Sequence, residues 1–169
     1  EIHAYSQNYN LIDFDLMNPY IAMLREYDYP LIVHGSEPVG HQYPGKGNTG
    51  PNVLENFVEK FPKSKIVLAH WGAGLPFYEL MPEISSTFNN VFYDSAATTL
   101  LYGEKVFEIV EKIVGPKRIL FGSDYPLVQP KEIIGQIIRS GFKPDVKSSI
   151  MSDNAIELFS IDFENRLKL

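Results

Sequence analysis

The sequence predicts an α/β protein built on parallel strands, organised as one unit over residues 1–169. Three observations predict it. Short apolar runs alternate with longer segments of helical periodicity. The central runs LIVH, IVLAH and ILFG are nearly continuous in apolar residues, as strands covered on both faces are. Several of these runs end on a histidine or an aspartate, and a parallel sheet gathers such ends on one side.

The elements follow in order. Strands are expected at 1–5 (EIHAY), 30–35 (PLIVHG), 65–70 (KIVLAH), 90–96 (NVFYDSA) and 118–124 (RILFGSD). A helix over 15–28 sets Leu16, Tyr20, Met23, Leu24 and Tyr27 at helical spacing. A second, over 51–61, opens on Pro51 and repeats Val53, Leu54, Phe57, Val58 and Phe61. The segment 76–88 is helical but kinked or ended at Pro82. The amphipathic run 103–115 is closed by Gly115-Pro116, and 130–141 ends on Gly141. One or two short helices close the chain, with Asp153 as N-cap of the second. Between strand and helix, residues 44–52 form a long glycine-rich loop of the kind that often carries function.

Two architectures fit this order: an open doubly wound sheet, or a segment of a (β/α)8 barrel. A whole barrel takes about 250 residues, so the second would be a partial barrel of about five βα units. It would have open edges and an uncovered inner face.

Composition limits the partners. The 169 residues carry 15 bases against 21 acids, a net charge of -6. That excludes the basic footprint of a nucleic-acid binder. No apolar run reaches the roughly 20 residues of a membrane span, and neither a membrane span nor a signal peptide is expected. With no cysteine, any metal must be held by His, Asp or Glu, and a cytoplasmic setting is expected. The chain opens at Glu1 inside strand-like sequence, so further sequence upstream is expected.

The ionisable strand ends are the candidate site. His34, His70 and Asp124 end the second, third and fifth runs, Asp94 lies near the end of the fourth, His3 sits in the first, and His41 follows the second. Singly, each has a plain structural reading: a satisfied histidine, a turn-capping aspartate, a solvated loop residue. Glu37 and His41 read as solvated and Trp71 as packing. Together they are hard to explain by packing, because each carries a desolvation cost unless paired or ligated. Neutral imidazoles with a carboxylate suit zinc and similar divalent ions where thiolates are absent. In that setting Asp124 could act as base while touching the metal, and His70 could orient substrate.

LIVHGSEP, IVLAHWGAGLP, VFYDSAAT, ILFGSDYPL and DNAIELFSI resemble the C-terminal half of the amidohydrolase-related family. These are metal-dependent (β/α)8-barrel enzymes that include relatives of aminocarboxymuconate semialdehyde decarboxylase. The resemblance runs in order from about residue 1 to residue 161. It implies that His34 is the metal ligand of barrel strand five and His70 the active-site histidine of strand six. Asp124 becomes the strand-eight aspartate, a metal ligand or proton-transfer group. His3, Asp94 and His41 become substrate-facing candidates.

The family's first-strand His-x-His pair does not occur in this sequence. The chain would then supply two or three ligands to a divalent ion, expected to be zinc from its imidazole and carboxylate donors, and would self-associate or pair with a missing N-terminal part. The leading expectation is metal-dependent hydrolysis of a small molecule. The alternatives are a non-oxidative carboxy-lyase of the same fold, or a non-catalytic fragment packed against a partner chain, with the isolated chain inactive.

Overall fold

The computed structural model describes residues 1–40 and 42–162. Four strands form one parallel sheet in chain order: β1 (Leu31–Val33), β2 (Ile66–Leu68), β3 (Val91–Asp94) and β4 (Ile119–Leu120). The register pairs Val33 with Leu68, Leu68 with Tyr93, and Asp94 with Leu120. The fifth expected strand, at 1–5, is reduced to a single parallel bridge from Ile2 to Val33. Its amide donates to the Ile32 carbonyl at 2.9 Å, and its carbonyl accepts from His34 N–H at 3.0 Å. Beyond Ile2 the chain turns at once, with Gln7 N–H returning to the His3 carbonyl.

Alternation along the strands divides the side chains between two layers. Leu31, Val33, Ile66, Leu68, Val91, Tyr93 and Ile119 enter the main core beneath the helices. That core includes Met17 and Ile21 from helix Phe14–Glu26, Leu54, Phe57 and Val58 from Pro51–Lys60, and Phe107 and Val110 from Val106–Val114. It also includes Ile133 and Ile137 from helix Pro130–Arg139. Ile32, Val67, Phe92 and Leu120 face the other way. That inner face is not bare, contrary to expectation. The closing helix Asn154–Leu158 lies on it through Ala155 and Leu158, with Phe159 just beyond, and buries Val67 and Leu120.

Several expectations hold in detail. Pro82 ends a 3₁₀ segment, Leu75–Leu80, and opens helix Pro82–Thr87 at its first turn. Gly115 closes its helix at φ 80°. Two expectations do not hold. Asp153 is no N-cap: it sits at φ -66°, ψ -39° inside a continuous helical run, and its carboxylate accepts from the Ser152 hydroxyl. In helix Phe14–Glu26 the buried residues are Met17 and Ile21, while Leu16, Tyr20, Met23 and Tyr27 are exposed. No helix among the described residues is long and apolar enough to cross a membrane.

Candidate active site

All four strands run in parallel, so their C-terminal ends share one side. The residues delivered there meet in a cavity of about 720 Å³. Glu1, His3, His34, His70 and Asp124 line one part of it. Ala97, Leu100, Leu101 and Leu127 give it an apolar wall, and Tyr43, Pro44 and Gly45 bring the glycine-rich loop to its margin.

His34 is the centre of a ring cluster. Its imidazole stacks on His3 with centroids 3.7 Å apart and planes 15° apart, and meets His70 edge-on at 4.8 Å. Its Nδ1 lies 3.7 Å from a Glu1 carboxylate oxygen. That contact holds the Glu1 carboxyl below the usual carboxylate range despite partial desolvation. His3 is pushed down by its own burial and by the neighbouring His34.

His70 is delivered by an unusual turn. Immediately after β2, His70, Trp71 and Gly72 all adopt left-handed backbone, at φ 57°, 56° and 53°, and Ala73 follows at 55°. For residues with a Cβ this costs about 1–2 kcal/mol each. The surrounding contacts hold the turn in place. The Asp94 carboxylate accepts from His70 N–H and from Ala96 N–H, both at 2.9 Å. The buried Trp71 indole donates to Thr98 Oγ1 at 2.8 Å and meets the Phe107 ring edge-on at 5.1 Å. Two glycines make room. A Cβ on Gly72 would lie 3.0 Å from the Tyr93 ring, and one on Gly35 would lie 3.0 Å from Ala73 N and 3.1 Å from the Ala69 carbonyl. Gly35 thus lets the end of β1 approach the turn, which brings His34 beside His70.

Two nitrogens of this cluster, His34 Nε2 and His70 Nδ1, are buried without a hydrogen-bond partner among the described residues. Glu1, His34 and His70 form a group whose potential ligand atoms all lie within 4.8 Å of one another. Two imidazoles and a carboxylate are a fitting donor set for a divalent ion.

The structure therefore brings together four of the sequence candidates, His3, His34, His70 and Asp124, around one cavity. Asp124 enters it from a left-handed position, φ 68°. Asp94 stands behind His70, bound to backbone, with its carboxyl raised chiefly by burial and opposed by His70. His41 lies outside the described residues. Glu1 and Tyr43 were not among the sequence candidates. Glu1 had a signal: it lies two residues before His3, and strand alternation places both on one face.

Comparison with known proteins follows the same line. The amidohydrolase family profile matches residues 3–161. A 2-amino-3-carboxymuconate-6-semialdehyde decarboxylase from Dictyostelium discoideum is 24% identical over 123 residues, covering 62% of this chain and 33% of that protein. The 5-carboxyvanillate decarboxylase of Sphingomonas paucimobilis superposes with a TM-score of 0.73 at 18% identity, over 91% of this chain and 56% of the other. A dihydroxybenzoic acid decarboxylase from Polaromonas, solved with manganese and 2-nitroresorcinol, superposes with a TM-score of 0.68 at 19% identity, over 87% and 55%. The fold is that of a partial (β/α)8 barrel. The chain spans a third of the curated relative and just over half of these solved structures.

Proposed function

Because the chain belongs to the amidohydrolase family, we propose that it carries the C-terminal active-site residues of a metal-dependent enzyme that decarboxylates a small unsaturated carboxylic acid without oxidation. The observation that carries this reading is the pair of buried ring nitrogens of His34 and His70, unpartnered among the described residues, in a cavity that Asp124 also lines. Those two imidazoles would hold the ion. When bound, it supplies positive charge that anchors an anionic substrate and stabilises charge developing on oxygen. The relatives named above are decarboxylases, which supports placing this reaction ahead of hydrolysis, the reaction that the sequence put first.

The chain's own residues then have distinct tasks. The apolar wall of Leu100, Leu101 and Leu127 packs a flat substrate and excludes water. His3, stacked on His34, fixes that ring and faces the substrate. Asp94 holds the His70 backbone in place. Asp124 carries the proton. As the bond from the substrate carbon to its carboxylate breaks, CO2 leaves, the electron pair enters the unsaturated system, and the Asp124 proton is delivered to that carbon.

The family description favours one second reading, in which Asp124 instead accepts a proton from water during hydrolysis of a small amide or ester. Zinc is the ion best suited to two imidazoles and a carboxylate, and manganese is the ion in the Polaromonas structure. The remaining strands of the barrel would be supplied by a further polypeptide segment or by association.

The test is to measure CO2 release from phenolic and enolic carboxylic acids, in parallel with amide and ester hydrolysis, using the protein with its remaining barrel strands and either metal. Decarboxylation that falls about 10²–10⁴-fold in Asp124→Asn supports the proposal. Hydrolysis alone, equally dependent on Asp124, selects the second reading.

A further inference from the structure

We propose that Tyr43 reads the substrate on the loop side of the cavity and that Glu37 positions it. In the complex the Tyr43 hydroxyl donates to the Glu37 carboxylate, and its oxygen accepts from a hydroxyl or amino group of the substrate. The inference rests on the reading above, a small carboxylic acid held in this cavity, and adds a residue that selects among such acids.

Glu37 reads from sequence as a solvated loop residue. The structure does the opposite: both carboxylate oxygens are buried, with no hydrogen-bond partner among the described residues. A buried carboxylate is costly until donors reach it, so a donor is expected to close on it in the working state. Two phenols stand near enough to feel its charge. Burial pushes the Tyr43 phenol up, and the Glu37 and Asp124 carboxylates add to this. Burial pushes Tyr102 up as well, and Glu37 adds to it. Both phenols therefore keep their protons at neutral pH and can donate.

Their surroundings give the two phenols different roles. Tyr102 follows helix Thr98–Leu101, and a Cβ on Gly74 would lie 3.6 Å from its hydroxyl. It stands beside the turn that delivers His70. Tyr43 lines the cavity. Its loop is tied down at several points. Ser36 N–H donates to the Thr49 carbonyl at 3.0 Å, and Ser36 Oγ accepts from Gly47 N–H at 3.1 Å. Lys46 N–H donates to the Tyr43 carbonyl at 3.2 Å, and Lys46 Nζ donates to the Val39 carbonyl at 2.8 Å while lying 5.7 Å from the Tyr43 ring centre. These ties hold the ring at the cavity margin, and Glu37 decides which way its hydroxyl points. A phenol whose proton is turned to a carboxylate offers only its oxygen lone pairs to a ligand. It favours a ligand that donates and leaves one that only accepts without a bond.

The test is binding of benzoate, meta- and para-hydroxybenzoate, and meta- and para-methoxybenzoate. It uses calorimetry on the zinc-loaded protein with its remaining barrel strands, with circular dichroism reporting the fold. A methoxy group accepts but cannot donate, so at least one hydroxybenzoate should bind roughly three- to tenfold tighter than its methoxy counterpart. Tyr43→Phe should abolish that preference and leave benzoate affinity within about twofold. Glu37→Gln can donate to the Tyr43 oxygen and free its proton for the ligand, so the preference should vanish or turn toward methoxy at unchanged benzoate affinity. A merely structural Glu37 would not produce that switch. Binding without any hydroxyl preference, or a preference that survives Tyr43→Phe, would overturn the inference and leave the carboxylic-acid reading standing. A preference unchanged in folded Glu37→Gln, or a Glu37→Gln that does not fold, would overturn the positioning role. A wild type that binds none of these acids would overturn both the inference and the reading beneath it.

Discussion

The two ends of the sheet solve opposite problems. At the N-terminal ends of the strands, charged and amide side chains are spent on structure. Arg118, just before β4, donates to the Phe88 carbonyl at 2.8 Å and pairs with Glu79 at 2.5 Å. Glu79 also accepts from the Tyr93 hydroxyl at 2.6 Å. Asn154 donates to the carbonyls of Pro116 and Ile119 at 2.8 and 2.7 Å. At the C-terminal ends, His34 and His70 keep buried nitrogens without partners among the described residues, and the backbone is held in left-handed conformations. In a parallel α/β fold, satisfied polar groups at the bottom serve stability, while unsatisfied ones at the top are available for chemistry.

The largest expected effect breaks the satisfied end. The Glu79 side chain is 1% exposed, and removing its partner strands a buried charge. Arg118→Met or Glu79→Gln should cost about 3–5 kcal/mol in urea unfolding. Burial and the Glu79 carboxylate push the Tyr93 hydroxyl well up, so Tyr93 stays protonated and donating at neutral pH. Its removal in Tyr93→Phe should cost less, about 1–3 kcal/mol, since both Glu79 oxygens still accept from Arg118.

Next come the two devices that connect the ends. Asp94→Ala removes the acceptor for both His70 N–H and Ala96 N–H. It should destabilise the fold by about 1–3 kcal/mol and also weaken ion binding, because the left-handed turn presenting His70 loses its tie. Gly35→Ala forces a Cβ to 3.0–3.2 Å from the backbone of Ala69, Gly72 and Ala73. Backbone cannot move aside as a flexible side chain does, so a loss of about 1–3 kcal/mol is expected with the same effect on binding. Unfolding curves with and without zinc check both.

How much of this was legible in the sequence depends on which end one considers. Apolar runs and turn residues announce strands and their direction, so the convergence of His34, His70 and Asp124 could be read from spacing alone. Gly72 and Gly74 signalled a sharp turn after His70. Nothing in composition says that His70 and Trp71 themselves are left-handed, because the interactions that hold them come from Asp94 and Thr98, more than twenty residues away. The Glu79–Arg118 pair left no signal for the same reason. The strand at 1–5 shrank to one bridge because Ile2 has β1 on one side and no strand among the described residues on the other. A strand paired on one edge has half the ladder to hold it.

At the site itself the contrast is sharpened by His34→Ala. Deleting a side chain whose buried nitrogen lacks a partner removes a cost along with the packing, so the ion-free protein should change by no more than about 1 kcal/mol. With ion at 100 times its Kd, the wild type should gain about 2.7 kcal/mol and the variant nothing. A chelator should then bring the two together. A large destabilisation of the ion-free variant would mean that His34 is structural, like Arg118 at the other end.

The smallest effect is expected on helix Phe14–Glu26, which carries two apolar stripes at helical spacing. Sequence alone cannot say which one faces the core, since Leu16, Tyr20, Met23 and Tyr27 repeat as regularly as Phe14, Met17, Ile21 and Leu24. The structure buries Met17 and Ile21 and leaves Tyr20 55% and Met23 50% exposed. Phe14 meets Phe61 edge-on at 5.9 Å, so this side of the helix looks toward helix Pro51–Lys60. The exposed stripe is turned about 110° from Met17 and Ile21, at 100° per residue. Tyr20→Lys and Met23→Lys should therefore shift unfolding by only about 0.5 kcal/mol, whereas Ile21→Ala should cost about 2–5 kcal/mol. Sedimentation supplies the second readout. If the chain self-associates through this stripe, the lysine variants become monomeric at unchanged monomer stability. If they unfold instead, the stripe belongs to the core and the helix has been assigned the wrong face.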